Sequence, residues 1–92
     1  IYIVGNAYLS SLVGLDNLVS VGDDLTIRGN LRLSSLVGLD NLVSVGDDLT
    51  IGSNRSLTTL SHLGELESVG GSVSVIYNPI TQEEVDAFVG RL

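Results

Sequence analysis

Leu9-Ser10-Ser11-Leu12-Val13-Gly14-Leu15-Asp16-Asn17-Leu18-Val19-Ser20-Val21-Gly22-Asp23-Asp24-Leu25-Thr26-Ile27 recurs without a change as residues 33–51, an offset of 24. The same offset places Ile3, Ile27, Ile51 and Val75 in one column and Asn6, Asn30, Asn54 and Asn78 in another. A third copy drifts but keeps the frame, with Leu57, Leu60, Leu63, Leu66, Val69, Val73 and Val75 at the apolar positions. Short apolar pulses at a period in the twenties, separated by Gly, Asn, Asp and Ser, specify a solenoid, because one such unit cannot bury its apolar face alone. The expected fold is an all-β solenoid of about three and a half leucine-rich coils. Leu25 and Ile27 alternate around Thr26 as a half-buried strand does. Reading the earlier pulses, Leu9 to Leu15 and Leu18 to Val21, in the same way gives up to three short strands per coil. These would form parallel sheets along the stack, with about 4.8 Å between coils.

The pattern changes after Asn78-Pro79. Thr81-Gln82-Glu83-Glu84 has the form of a capping box, in which the Thr81 hydroxyl accepts from the Glu84 amide and the Glu84 carboxylate reaches back. Val85, Phe88, Val89 and Leu92 then follow at helical spacing, and Arg91 lies near the end where the helix dipole favours a cation. Residues 1–80 are therefore read as coils and 81–92 as a capping helix across the open end of the last coil. The opening Ile1-Tyr2-Ile3-Val4 reads like the inside of a strand, as in a segment of something longer or at a mature end. That end has no comparable lid, which makes Ile1, Tyr2, Ile3 and Val4 candidate contact residues.

Composition narrows the function. Of the 92 residues 43% are hydrophobic and 16% charged, against roughly a quarter charged in ordinary domains, which favours a folded core over disorder. Eleven acidic residues against four arginines and no lysine give a net charge of −7, which repels nucleic-acid phosphates and anionic lipid. The absence of cysteine removes disulfides, thiolate metal sites and cysteine nucleophiles. No apolar run approaches the roughly 20 residues of a membrane-spanning helix, so membrane insertion is not expected.

The string Leu33-x-x-Leu36-x-Gly38-Leu39-x-Asn41-Leu42-x-x-Val45-Gly46-x-x-Leu49-x-Ile51-x-x-Asn54 resembles the repeat of receptor L-domain-like leucine-rich proteins of bacterial and fungal cell surfaces. The resemblance covers residues 1–80. It implies a right-handed β-helix, located outside the cell or on its surface, that binds a partner or serves architecture. The chain departs from the family where Gly-Gly is usual before the last strand: Gly70-Gly71 fits, but two coils read Gly-Asp-Asp.

The asparagine column Asn6, Asn30, Asn54 and Asn78 is read as a structural ladder that satisfies buried backbone groups of its own and the next coil. Asn54-Arg55-Ser56 matches a glycosylation sequon, but the ladder role of Asn54 argues against its modification. Asp23, Asp24, Asp47 and Asp48 should stack as like charges; a solvated turn is the first reading and bridging by calcium the lesser one. The outward hydroxyls Thr26, Thr50 and Ser74 make too thin a template for ice and read as ordinary strand surface. Val13 over Val37 and Val19 over Val43 form an apolar stripe that is a candidate contact surface, the alternative being a flattened coil that buries them. His62 replaces Gly14 and Gly38 of the other coils; with Glu65 and Glu67 as sequence neighbours it reads as a surface histidine rather than a general base. No phosphate loop, zinc spacing or nucleophile elbow occurs, and no cofactor is expected. The resulting expectation is a non-enzymatic binding or scaffold module whose partner is a protein or copies of itself. The alternative is a self-assembling subunit of a fibre or surface layer.

Overall fold

Leu25-Thr26-Ile27-Arg28 alternates buried and more open side chains, and this period of two makes it a strand in every coil. The computed structural model describes residues 1–92. Strands β1 (Tyr2–Val4), β3 (Leu25–Arg28), β5 (Leu49–Gly52) and β7 (Val73–Ile76) form one parallel sheet in that order. The two-residue strands β2 (Ser20–Val21), β4 (Ser44–Val45) and β6 (Ser68–Val69) form a second parallel sheet. Register follows the repeat: Ile3 pairs with Ile27, Ile27 with Ile51 and Ile51 with Val75. The molecule is thus a β-solenoid of stacked coils closed by the helix α1 (Gln82–Arg91).

The third strand per coil does not form. Leu9, Leu12, Leu15 and Leu18 recur every three residues, and a strand cannot keep a period of three on one face. The backbone instead turns at each step: Leu15 donates to the Leu12 carbonyl at 3.1 Å and Leu18 to Leu15 at 2.9 Å. Coil two repeats this with Leu39 to Leu36 at 3.0 Å and Leu42 to Leu39 at 3.1 Å. In coil three the turns tighten into a 3-10 helix over Ser61–Leu63. This explains His62. Gly14 and Gly38 sit at φ 114° and 113°, a region that favours glycine, whereas His62 lies in the 3-10 turn and needs no such freedom.

The core is a single cluster of leucines with Val21, Ile27, Val45, Ile51 and Phe88. Leu33, Leu39 and Leu42 of coil two are fully buried, while the identical Leu9, Leu15 and Leu18 of coil one are only partly covered, because no coil lies beneath them. Beside this core runs the asparagine ladder. The Asn30 backbone N–H and side-chain amide both donate to Asn54 Oδ1, at 3.1 and 3.2 Å, and Asn54 Nδ2 donates to the Ile27 carbonyl at 3.0 Å. Asn6 to Asn30 and Asn54 to Asn78 repeat the pattern. The residue before each asparagine is left-handed: Gly5, Gly29, Ser53 and Tyr77, with φ between 56° and 70°. That kink turns the side-chain amide from the strand into the stack.

Helix α1 is fixed to coil three by charge rather than by a broad apolar face. The Thr81 side chain caps the Glu84 amide at 3.2 Å, but Glu84 does not return the bond. Its Oε2 accepts from the Leu60 amide at 2.6 Å and from the Thr59 hydroxyl at 2.9 Å. In coil one the equivalent amide, of Leu12, donates to the Val37 carbonyl of the next coil; Leu60 has no such carbonyl above it, and the carboxylate takes that place. At the other end Arg91 donates to the carbonyls of Leu63, Gly64 and Leu66. Of the expected apolar face only Phe88 is buried; Val85 is half-buried, and Val89 and Leu92 are exposed. Arg91→Ala is therefore expected to cost about 1–2 kcal/mol, because three carbonyls lose a charged donor. Amide exchange should accelerate in residues 88–92 while β3 and β5 stay protected. Unchanged exchange in the helix would show that Phe88 and Glu84 hold it without Arg91.

Candidate functional site

The turns that close each coil place acidic and amide groups in register. The Gly14 N–H donates to Asp16 Oδ2 and the Gly38 N–H to Asp40 Oδ2, both at 3.0 Å, so each aspartate pins its own turn with one oxygen. The Asn41 side chain donates to the Asp16 carbonyl of the coil below at 2.6 Å. Asp40 uses its remaining oxygen on His62 Nδ1 at 2.7 Å, an ion pair when His62 is protonated. The Gly38 amide, and then the histidine, hold the Asp40 carboxyl below the usual carboxylate range. Its contribution to stability is present above the ordinary carboxylate value and is lost as pH falls through the lowered one. His62 is thus partnered by Asp40 rather than by either glutamate near it in sequence.

Beside these turns lies an open groove of about 460 Å³ lined by Asp16, Asn17, Val19, Asp40, Asn41, Val43 and Glu65. Each of the first two coils contributes an aspartate, an asparagine and a valine to it. Of the apolar stripe, Val13 and Val19 are exposed, at 67% and 54%, while Val37 and Val43 are half-buried. The stripe stops at coil three, where Ser61 and Glu67 take its positions. What remains is an acidic, hydrogen-bonding trough with two valines in its lining, suited to a partner offering donors or positive charge.

The second acidic cluster has an internal task. Asp24 Oδ1 accepts from the Asp48 amide at 3.0 Å and Asp48 Oδ1 from the Ser72 amide at 2.8 Å, so one aspartate per coil carries the stack upward. In coil three the series ends at Ser72, and at Gly71, in the column of Asp23 and Asp47, an added Cβ would run into the carboxylates of Asp48 and Asp47. Asp24, Asp47 and Asp48 approach one another within 4.8 Å, and Asp23 stands outside that group. The neighbouring carboxylates, Asp48 first and then Asp24, push Asp47 above its usual pKa. A raised carboxylate is destabilising while ionised, and stability returns as pH falls through the raised value. Asp47→Asn is accordingly expected to raise the melting temperature slightly at pH 7 and low salt, with the gain fading at high salt. Added calcium should leave the wild-type melting temperature where it is. A saturable rise at millimolar calcium, lost in Asp47→Asn, would make the cluster a binding site.

The remaining sequence candidates fall into two groups. Asn6 is exposed, Asn30 and Asn54 are fully buried and Asn78 is partly buried; the sequon asparagine has both side-chain atoms committed to the ladder. Ile1, Tyr2 and Val4 are exposed and Ile3 is half-buried, along the unpaired edge of β1. The roles of Glu84 and Arg91 toward coil three were not anticipated. The signal was Glu84 and the helix's one base, Arg91, seven residues apart on a helix set above leucines that lack a coil to cover them. The chain matches no protein-family model, no curated protein and no solved structure. No helix is long and apolar enough to cross a membrane.

Proposed function

We propose that the chain is a non-enzymatic binding or scaffold module of extracellular or cell-surface type, presenting a repeated surface to a protein partner. The supporting observation is the trough in which Asp16, Asn17 and Val19 of one coil are followed in register by Asp40, Asn41 and Val43 of the next. Repetition lets one extended partner meet the same chemistry twice, so two weak contacts act together. The resemblance of the repeat to receptor L-domain-like proteins supports the same reading. The test is a photo-crosslinking residue placed at Val43, with a matched one at Thr50 on the outer face of β5, in the protein on its producing cells. A discrete heteromeric product from position 43, lost with Val19→Lys, is expected. Equal yields from both positions, or none, would overturn the proposal.

A second reading, a self-assembling subunit, draws on the unpaired edge of β1 and on the partly open Leu9, Leu15 and Leu18 behind it. It requires the 92-residue chain to associate with rising concentration, and Ile3→Lys to suppress this more than Val43→Lys. A single monomeric species by sedimentation at high micromolar concentration would remove it.

A further inference from the structure

The opposite edge of the long sheet is only half covered. β7 is its last strand, and its alternate carbonyls serve β5: Ser72 accepts from the Leu49 amide at 2.9 Å and Ile76 from the Ser53 amide at 3.1 Å. By the alternation of a parallel ladder, the N–H groups of Val73 and Val75 and their carbonyls face away from β5. Helix α1 does not take them, since Glu84 and Arg91 tie it over Leu60 to Leu66, on the other side of the coil. Between helix and strand lies a hollow of about 250 Å³ with Val75, Tyr77, Ile80 and Val85 in its walls.

The dimensions of this step select its occupant. An added strand would lie about 4.8 Å above β7, whereas the helix beside it is about 10 Å thick. One extended segment fits; a whole further coil would run into α1. The ladder fixes the side chains that segment must carry. Its inward residue would continue the column Ile3, Ile27, Ile51, Val75 into the apolar hollow. Three residues later the column calls for an asparagine, because Asn6, Asn30 and Asn54 each donate their backbone N–H to the side-chain oxygen of the next asparagine. Asn78 has no fifth asparagine above it. The chain carries a charge of −7, and Gln82 at the rim of the hollow donates to the Asp86 carboxylate at 2.9 Å, so a basic segment is favoured.

We propose that the free edge of β7 is a strand-addition site, which takes one extended, basic segment of a partner protein as a fifth parallel strand with the pattern apolar-x-apolar-x-x-Asn. Main-chain bonds to β7 provide affinity, and the hollow and the Asn78 amide provide register and selectivity. This site is separate from the acidic trough and does not rest on it.

The chain supplies a probe of the required chemistry: a blocked peptide of residues 25–32, Leu-Thr-Ile-Arg-Gly-Asn-Leu-Arg, with two arginines and no acid. Titrated into the full ¹⁵N-labelled protein, it should shift the amides of Val73, Val75, Tyr77 and Asn78 saturably and slow exchange at Val75. The same peptide with Asn30→Ala should bind about tenfold more weakly or worse, and with Ile27→Asp the shifts should vanish. Protein carrying Val19→Lys and Val43→Lys should bind the peptide unchanged, which separates this site from the trough. No saturable shift at millimolar peptide, shifts at Tyr2 and Val4 instead of β7, or equal binding of the Asn30→Ala peptide would each overturn the proposal.

Discussion

Asn54→Leu is expected to cost about 3–5 kcal/mol, a large share of the stability of a domain in which the total is on the order of 5–15 kcal/mol. The substitution removes the acceptor of two Asn30 donors and the donor to both the Ile27 carbonyl and Asn78 Oδ1, all at 3.0 to 3.2 Å. Asn30 and Asn54 are completely buried, so water cannot replace the lost partners. The position of the residue, not its type, sets the cost. Asn6 is exposed and only donates, so Asn6→Leu should cost about 1 kcal/mol or less. Thr50→Ser, on the half-exposed outer face of β5, should fall within about 0.5 kcal/mol. Urea unfolding of the three variants checks the order. Equal tolerance at Asn54 and Thr50 would mean that the ladder carries no stability.

The period of 24 and the alternation of Leu25-Thr26-Ile27 were enough to read the coils, the long sheet and its register, because stacking translates one residue column into one structural column. The leucine run from Leu9 to Leu18 was misread because its spacing of three was treated as a set of short strands. Spacing of three belongs to successive turns, in which each leucine amide bonds the carbonyl three residues before it. The site was less legible. Column position showed that Asp23, Asp24, Asp47 and Asp48 would stack, but not that Asp24 and Asp48 accept amides of the next coil while Asp47 bears the repulsion. Side-chain direction within a turn depends on a few backbone angles that composition does not encode. The helix shows the same limit. Thr81 caps it as the local motif requires, yet Glu84 leaves that motif for coil three, because the Leu60 amide and Thr59 hydroxyl that it accepts from are invisible in the sequence of the helix.

Gly46→Ala should be among the most damaging small substitutions in the chain, although it adds one methyl group at an exposed position. A Cβ on Gly46 would overlap the backbone carbonyl of Gly22 in the coil below, and one on Gly70 would overlap that of Gly46. Backbone against backbone cannot be relieved by a rotamer change, so the coils must separate locally. That separation strains the Gly46 amide bond to the Val21 carbonyl, now 2.7 Å, and its neighbours in the second sheet, whose strands are only two residues long. A loss of about 3 kcal/mol or more follows from overpacking combined with broken ladder bonds. Gly22 provides the internal control. It has the same sequence context, Ser-Val-Gly-Asp-Asp, but nothing lies within 4 Å of the position its Cβ would take. Gly22→Ala should therefore be neutral within about 0.5 kcal/mol, or slightly stabilising through the unfolded chain. Neither glycine has a positive φ, so the difference between the two alanine variants measures the contact between coils and not backbone strain. Thermal and urea unfolding of the pair give that difference directly. If the two variants prove equally stable, the coils do not pack as closely as described, and β2, β4 and β6 cannot form the continuous second sheet that brings Val19 and Val43 into register beside the trough.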